Sequence, residues 1–412
     1  MRLYEDKDVI DLLYKLDEKI NENLNIYWPN FNKLPIALYN NKKVFLINHK
    51  NPPKSFTNEN NVFIGPWDSR FTGNTAISLN NYITGILNIT IITPLTSFEK
   101  IYSLVIHELF HGVQIINKDK RFVQEMIYIQ YPILRDNIEL RNREREYLLR
   151  SVFEKDGQIQ KQLIGMFKFC REKRKKYIGE YINYELAVES IEGTATYVEY
   201  KAFSDVSCLS DEYILSKFIQ KLEVDNTILS NLRISCYSSG AALCILLDDL
   251  CPNWKGEYTK SSLYLYDFFI NKVRSKEIVV KIDDYSCTKY LIKKDGEYKQ
   301  KEFEKFNNKD GFKIILKGNM VLEGTDPINI IVSDNMILHK HFIKFITSRH
   351  QFILKVPVLS RKGEKIYNIT QIEFFVHTEP VQKEDNILVE YLGDVRAKMM
   401  RYGENFYIDL EE

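Results

Sequence analysis

The stretch Ser97–Ile116 reads SFEKIYSLVIHELFHGVQII, and the rest of the chain is organised around it. Ser97, with Lys100 and Ile101 behind it, has the pattern of an N-cap opening a long apolar-faced helix. Inside that helix stands His107-Glu108-Leu109-Phe110-His111, an HExxH motif. Positions i and i+4 of a helix share one face a turn apart, so both imidazoles can point at one ion. Zinc accepts histidine nitrogen at about 2.0–2.1 Å. Glu108 follows His107 directly and flanks such an ion, within reach of a bound water. The neighbours Ile106, Leu109 and Phe110 are apolar, which places the histidines in a largely buried helix. Buried imidazoles and a buried carboxylate need polar partners. A hydrogen-bonded polar cluster in a helical core would also supply them.

On either side of this helix the pattern changes. Residues 5–24 alternate apolar and charged positions at helical spacing. Then Gly, Pro and Asn separate the short β-type runs Val44–Asn48, Val62–Gly65, Thr75–Leu79 and Ile86–Thr93. Helical runs follow over about 122–177, 178–203, 211–223 and 237–250. Beyond about 275, EIVVKIDDY, GFKIILKG, PINIIVSD, QFILKVPVL, NITQIEFFVHT and NILVEYL read as short strands. The expected fold class is therefore α+β and multidomain. It has a β-rich part over 1–95, a mainly helical core over 96–275 and a β-rich domain over 276–412, in the manner of a sandwich. The dense charge in RNREREYLLR (141–150) and REKRKK (171–176) reads as solvated helix face, because nearby acids cancel its field.

Composition narrows the function. With 57 Lys+Arg against 56 Asp+Glu, the net charge of +1 gives no reason to expect nucleic acid or an anionic membrane as a partner. Six cysteines, none spaced C-x-x-C, argue for reduced thiols rather than a disulfide scaffold or a thiolate zinc site. The N-terminus lacks an apolar signal region, and the longest apolar stretch, Ile83–Leu95, falls short of the roughly 20 residues of a bilayer span. A cytoplasmic protein is expected.

Two histidines leave a catalytic zinc site short of a third ligand. The HExxHxxGxxH pattern fails here, since Gln114 and Lys118 occupy the region and the next histidine is His339. His339 and His341 alternate on one expected strand face, without a third ligand nearby. A carboxylate is indicated for the main site, and the segment Tyr184–Lys201 offers Glu185, Glu189, Glu192 and Glu199.

Here the chain resembles a family. Glu192-Gly-Thr-Ala-Thr-Tyr-Val-Glu199-Tyr200 is similar to the N-E-G-F-A-x-Y-x-E segment of aminopeptidase-N-like gluzincins, zinc metallopeptidases in which the Glu before the Gly is the third zinc ligand. The resemblance assigns that role to Glu192, with Glu189 as a competing ligand. Glu189 and Glu199 are also candidates to orient the histidines from behind. The Gly then allows a second helix close to the metal helix. Cys236-Tyr237-Ser238-Ser239-Gly240 resembles the family's P-Y-x-K-G segment, whose Tyr hydroxyl faces the developing oxyanion, so Tyr237 takes that role. Gly73-Asn74-Thr75 stands where the family carries a substrate-aligning edge strand, but no acid follows to grip a free amine. The sequence also departs from the family in placing 80 residues between His111 and Glu192, which a helical insertion would accommodate at little entropic cost.

These readings together imply a Zn2+-dependent peptidase. His107, His111 and Glu192 would be its ligands, Glu108 its general base and Tyr237 its oxyanion donor, and its substrate a specific intracellular protein or peptide. The alternatives are an aminopeptidase, with Glu189 or another acid on the amine, and a non-catalytic zinc-containing binding protein.

Overall fold

Short β-type runs at the start of the chain pair into a six-stranded mixed sheet. The computed structural model describes residues 5–20, 24–93, 95–223, 232–275, 278–281, 286–348, 350–365 and 367–410. After helix α1 (Asp6–Ile20) come β1 (Ile36–Tyr39), β2 (Lys43–Ile47), β3 (Thr57–Glu59), β4 (Val62–Pro66), β5 (Thr75–Leu79) and β6 (Tyr82–Asn88), in the spatial order β3-β4-β2-β1-β6-β5. Only β1 and β6 run parallel. β1 is buried at all four positions, as expected of a central strand covered on both faces. β5 is an edge strand, as its sequence position suggested.

Helix α2 (Phe98–Ile116) covers this sheet. Ser97 caps it, accepting from the Lys100 amide at 3.3 Å. The helix lies so close to β6 that a Cβ on Gly85 would stand 2.8 Å from the Leu109 side chain. Residues 1–95 and most of the helices after them fall in one compact unit. That unit comprises Met1–Val123, Glu139–Val224 and Ile234–Ile282.

The helices that follow are α3 (Arg135–Phe153), α4 (Gly157–Ile178), α5 (Ile182–Val188), α6 (Thr194–Val206), α7 (Asp211–Ile219), α8 (Leu232–Leu250), α9 (Trp254–Lys260) and α10 (Leu265–Lys272). Between α5 and α6 the helix widens into a single π-turn, Glu189–Gly193. α8 starts five residues before the expected run at 237. The charged stretches on α3 and α4 are a correction to the sequence reading. Arg141, Glu144, Arg171 and Arg174 are buried, not solvated. They point inward because each meets an opposite charge there, as shown below.

The second unit comprises Gln124–Ile138, Asp225–Arg233 and Asp283–Glu412. It begins its C-terminal run with a helix that the sequence reading missed, α11 (Ser286–Asn307). The buried positions Thr288, Leu291, Asp295, Glu302 and Phe306 follow helical spacing. The expected strand EIVVKIDDY falls partly outside the described residues, and its described part, 278–281, is not strand. β7 (Phe312–Thr325), β8 (Ile330–Ser333), β9 (Met336–His339), β10 (Ile343–Ile346), β11 (Gln351–Leu354), β12 (Val358–Lys362) and β13 (Asn368–Val376) form a sheet in the order β11-β10-β7-β13-β12-β9-β8. Three strands, β14 (Val381–Lys383), β15 (Asn386–Val389) and β16 (Gly393–Arg396), make a separate small sheet. A final hairpin, β17 (Lys398–Tyr402) and β18 (Asn405–Asp409), joins the large sheet by laying β18 parallel to β7. Ile314, Leu316, Phe345, Ile372 and Phe374 are among its buried core residues.

The architecture is thus mixed helix and strand, with an N-terminal sheet, a helical middle and a C-terminal sheet region. Among the described residues no helix is long and apolar enough to cross a membrane. The five cysteines with described side chains are free thiols, and the side chain of Cys287 lies outside the described residues.

Candidate metal centre

His107 and His111 lie one turn apart on α2, and both are buried. Their ring centroids are 4.9 Å apart. Each ring is held at its Nδ1. His107 Nδ1 donates to Glu199 Oε2 at 3.0 Å, and His111 Nδ1 donates to Gln114 Oε1 at 2.8 Å. Those bonds fix the tautomer and turn both Nε2 atoms to the same side. There they meet Glu192, whose Oε2 is 3.5 Å from His107 Nε2 and 3.3 Å from His111 Nε2. The three donor atoms lie within 4.8 Å of one another.

These spacings fit a small cation. Two ligand atoms at about 2.0–2.1 Å from one tetrahedral ion stand about 3.3–3.4 Å apart. The charge fits as well. Glu108, Glu192 and Glu199 face this spot, and the Lys100 ammonium stands 2.8 Å from Glu199 Oε1. Burial pushes the two imidazoles down, but the carboxylates of Glu192, Glu199 and Glu108 outweigh it, and both are held above the ordinary histidine range. Burial alone would raise Glu199; the bonds and charges of His107 and Lys100 win and bring it to about 2.

Glu108 behaves differently. Burial dominates and lifts its carboxyl to about 7, with the two histidines pulling the other way. Its Oε2 is buried without a hydrogen-bond partner. This oxygen, beside two imidazoles, keeps its hydrogen-bonding capacity unspent.

The Gln114 amide also ties α2 to the helical segment that carries Glu192. Gln114 Nε2 donates to the Ile191 carbonyl at 2.9 Å and to Thr194 Oγ1 at 3.0 Å, while its Oε1 holds His111. The π-turn containing Ile191 and Glu192 is therefore anchored on the metal helix. On its far side, Gly193 abuts Gly240 of α8, where a Cβ would come within 2.5 Å of the Gly240 Cα. The close approach allowed by Gly193 is thus to α8, not to the metal helix as the sequence reading had it.

Of the remaining sequence-derived candidates, Glu199 sits behind His107 as proposed for an orienting residue. Glu189 does not reach the histidines. Both its oxygens are engaged elsewhere, by Arg171 at 2.7 and 2.8 Å and by Ser239 at 2.5 Å, and the residue is fully buried. Glu185 pairs with Arg141 and Arg174. Tyr237 is half-buried on α8, three residues before Gly240 and so on the same side of that helix, in its second turn rather than at its start. Gly73 has φ +71° and its carbonyl accepts from Tyr39 at 2.6 Å. Asn74 Oδ1 accepts from the Asn88 amide at 2.9 Å, and Thr75 opens the edge strand β5. A Cβ on Gly112 of α2 would lie 3.7 Å from Ala76 of β5, so this edge runs alongside the HExxH helix. His339 and His341 do not converge. The first is buried between Thr325 and Ser360, and the second is exposed and bonded to Asp326.

Sequence reasoning missed Gln114, Lys100 and Tyr39. Gln114 is three residues after His111 and so shares its face, a signal that was available. Tyr39 is buried, and its phenol is pushed above the usual range first by that burial and then by the charge of Glu108. Nothing in the sequence places it there.

Compared with family models, curated proteins and solved structures, the chain matches none.

Proposed function

We propose that the chain is a zinc-dependent peptidase of gluzincin type, with His107, His111 and Glu192 as ligands. One observation carries this reading: the convergence of two oriented Nε2 atoms and a carboxylate oxygen beside the bare oxygen of Glu108. When bound, zinc polarises the scissile carbonyl and lowers the pKa of water to about 7. The rest falls to the protein's own groups. Glu108 takes the proton of the attacking water at its carboxylate and later gives it to the leaving amine. Tyr237 donates to the developing oxyanion. Glu199 and Gln114 hold the imidazoles in the orientation that leaves both Nε2 lone pairs free. The outer edge of β5 aligns an extended peptide by main-chain hydrogen bonds.

The aminopeptidase alternative is weakened, since Glu189 is engaged by Arg171 and Ser239 and cannot grip an amine. A non-catalytic binding protein would have no use for a buried base without a partner.

The test uses zinc-loaded protein and a peptide library read by mass spectrometry. Glu108→Gln is expected to keep its zinc and to lose about 10²–10⁴ of the cleavage rate. A wild type that binds no zinc removes the whole reading. Undiminished cleavage by Glu108→Gln removes the base assignment.

A further inference from the structure

The 80 residues between His111 and Glu192 include α3 and α4, and those helices carry charge into the protein interior. Arg171 donates through Nε to Glu144 at 2.7 Å and through both terminal nitrogens to Glu189. Arg174 donates to the other oxygen of Glu144 at 2.7 Å and also reaches Glu185, which Arg141 contacts in turn. Three guanidinium groups thus meet three carboxylates, all in the first unit and at most 9% exposed. Ser239 of α8 adds a hydroxyl bond to Glu189.

Such a network is an inefficient way to add stability. Desolvating each ion offsets most of the attraction, and apolar residues of the same volume often do as well or better. What it fixes is geometry, because an Arg–carboxylate fork holds both position and angle. The position it fixes here is the first residue of the π-turn, Glu189. In an ordinary α-helix, residues three apart lie close to the same side. In the wider i→i+5 turn they diverge. Glu189 faces Arg171 while Glu192 faces the histidines, so the turn is held from opposite sides by two separate sets of bonds. Gly240 closes the third side, with no room for a Cβ against the Glu189 carbonyl.

We infer that the buried Arg171–Glu189 fork, supplied by the inserted helix α4 and seconded by Ser239, is a positioning device that sets the π-turn so that Glu192 meets His107 and His111. This deepens the metal reading above and rests on it. Glu189 and Arg171 are positioning residues, since neither touches the ligand cluster.

The experiment measures zinc affinity by chelator competition on folded protein, with thermal unfolding recorded alongside. Glu189→Gln is expected to weaken zinc binding about 10–100-fold, the usual consequence of losing a group that orients a metal ligand. Ser239→Ala removes one hydrogen bond with little risk to folding, and is expected to weaken zinc binding by several-fold. The control is Leu163→Ala, a buried apolar residue of α4 outside the charge network. It is expected to lower the melting temperature and leave zinc affinity unchanged. Glu189→Gln and Ser239→Ala both with wild-type zinc affinity, or Leu163→Ala weakening zinc as much as they do, would overturn the positioning role while the metal reading stands. A wild type that takes up no zinc would instead show that the metal reading is at fault, and the inference would fall with it.

Discussion

Two clusters of buried charge lie back to back on one turn of helix, and they differ in whether they are closed. In the Arg141/Arg171/Arg174 cluster every carboxylate meets a guanidinium, and no outside ion is needed. In the His107/His111/Glu192 cluster the imidazoles are tied at one nitrogen and aimed at an acid with the other, and a Glu108 oxygen is left bare. Burial in a protein interior penalises unbalanced charge far more than balanced charge. On the function proposed above, a cation from solution would balance the open cluster. The closed cluster beside it explains how the open one keeps its shape.

The largest test of this contrast removes an arm of the open cluster. Glu192→Ala is expected to abolish stoichiometric zinc binding, a loss beyond the about 100-fold typical of outer partners, while the chain still folds. Metal analysis of the purified variant checks it, and full zinc content there would mean the ligand set is misassigned.

Opening the closed cluster should act on stability instead. Arg174→Met leaves Glu144 and Glu185 short of a partner each, and is expected to cost about 3–5 kcal/mol in urea unfolding. A cost near zero would mean that these ions are solvated after all.

A somewhat smaller effect distinguishes the clusters by pH. In chelator-treated protein Glu108 binds its proton up to about 7, against 4.5 for the free side chain. Between those values the folded chain holds a proton that the unfolded chain has lost, so stability falls as pH rises through this window. For a fully buried group the total is on the order of 3 kcal/mol. Glu199 works in the opposite sense: its stabilisation is complete above about 4.5 and is lost as pH falls towards 2, outside that window. Glu108 is also one of the charges that hold His107 and His111 up, so its replacement lowers both imidazoles and flattens the profile further above 6.5. Glu108→Gln should therefore show a flatter stability profile than wild type from pH 4.5 to 7. Parallel profiles would show that Glu108 is not desolvated.

The contrast also explains what could be read from sequence. The pairing of His107 and His111 was legible because HExxH carries its own geometry, and the approach of Glu192 and Glu199 to those rings was anticipated through resemblance to a known segment. Ser97 and the strand Thr75–Leu79 followed from cap and turn chemistry. The charged helices were misread because charge density alone cannot tell a wet face from an internal ion network. Only the partner's position decides, and Glu144 is 27 residues from Arg171 while Glu189 lies 18 residues beyond it. The i,i+3 spacing of Arg141 with Glu144 and of Arg171 with Arg174 was the one available hint that these charges share inward faces. Helix α11 was missed because a β-rich neighbourhood was extended over a segment whose buried positions repeat helically. Gln114 was noticed only as the absence of a third histidine.

The widened turn at Glu189–Gly193 also acts as a phase shifter for everything after it. Glu192 and Glu199 are seven residues apart, two helical turns, and both end on the same imidazole from different sides. Removing one residue from that turn would restore an unbroken helical ladder and rotate α6 by about 100° relative to α5. Either Glu189 would then leave its guanidinium or Glu199 would leave its ring. The irregular turn lets one continuous rod serve two incompatible azimuths.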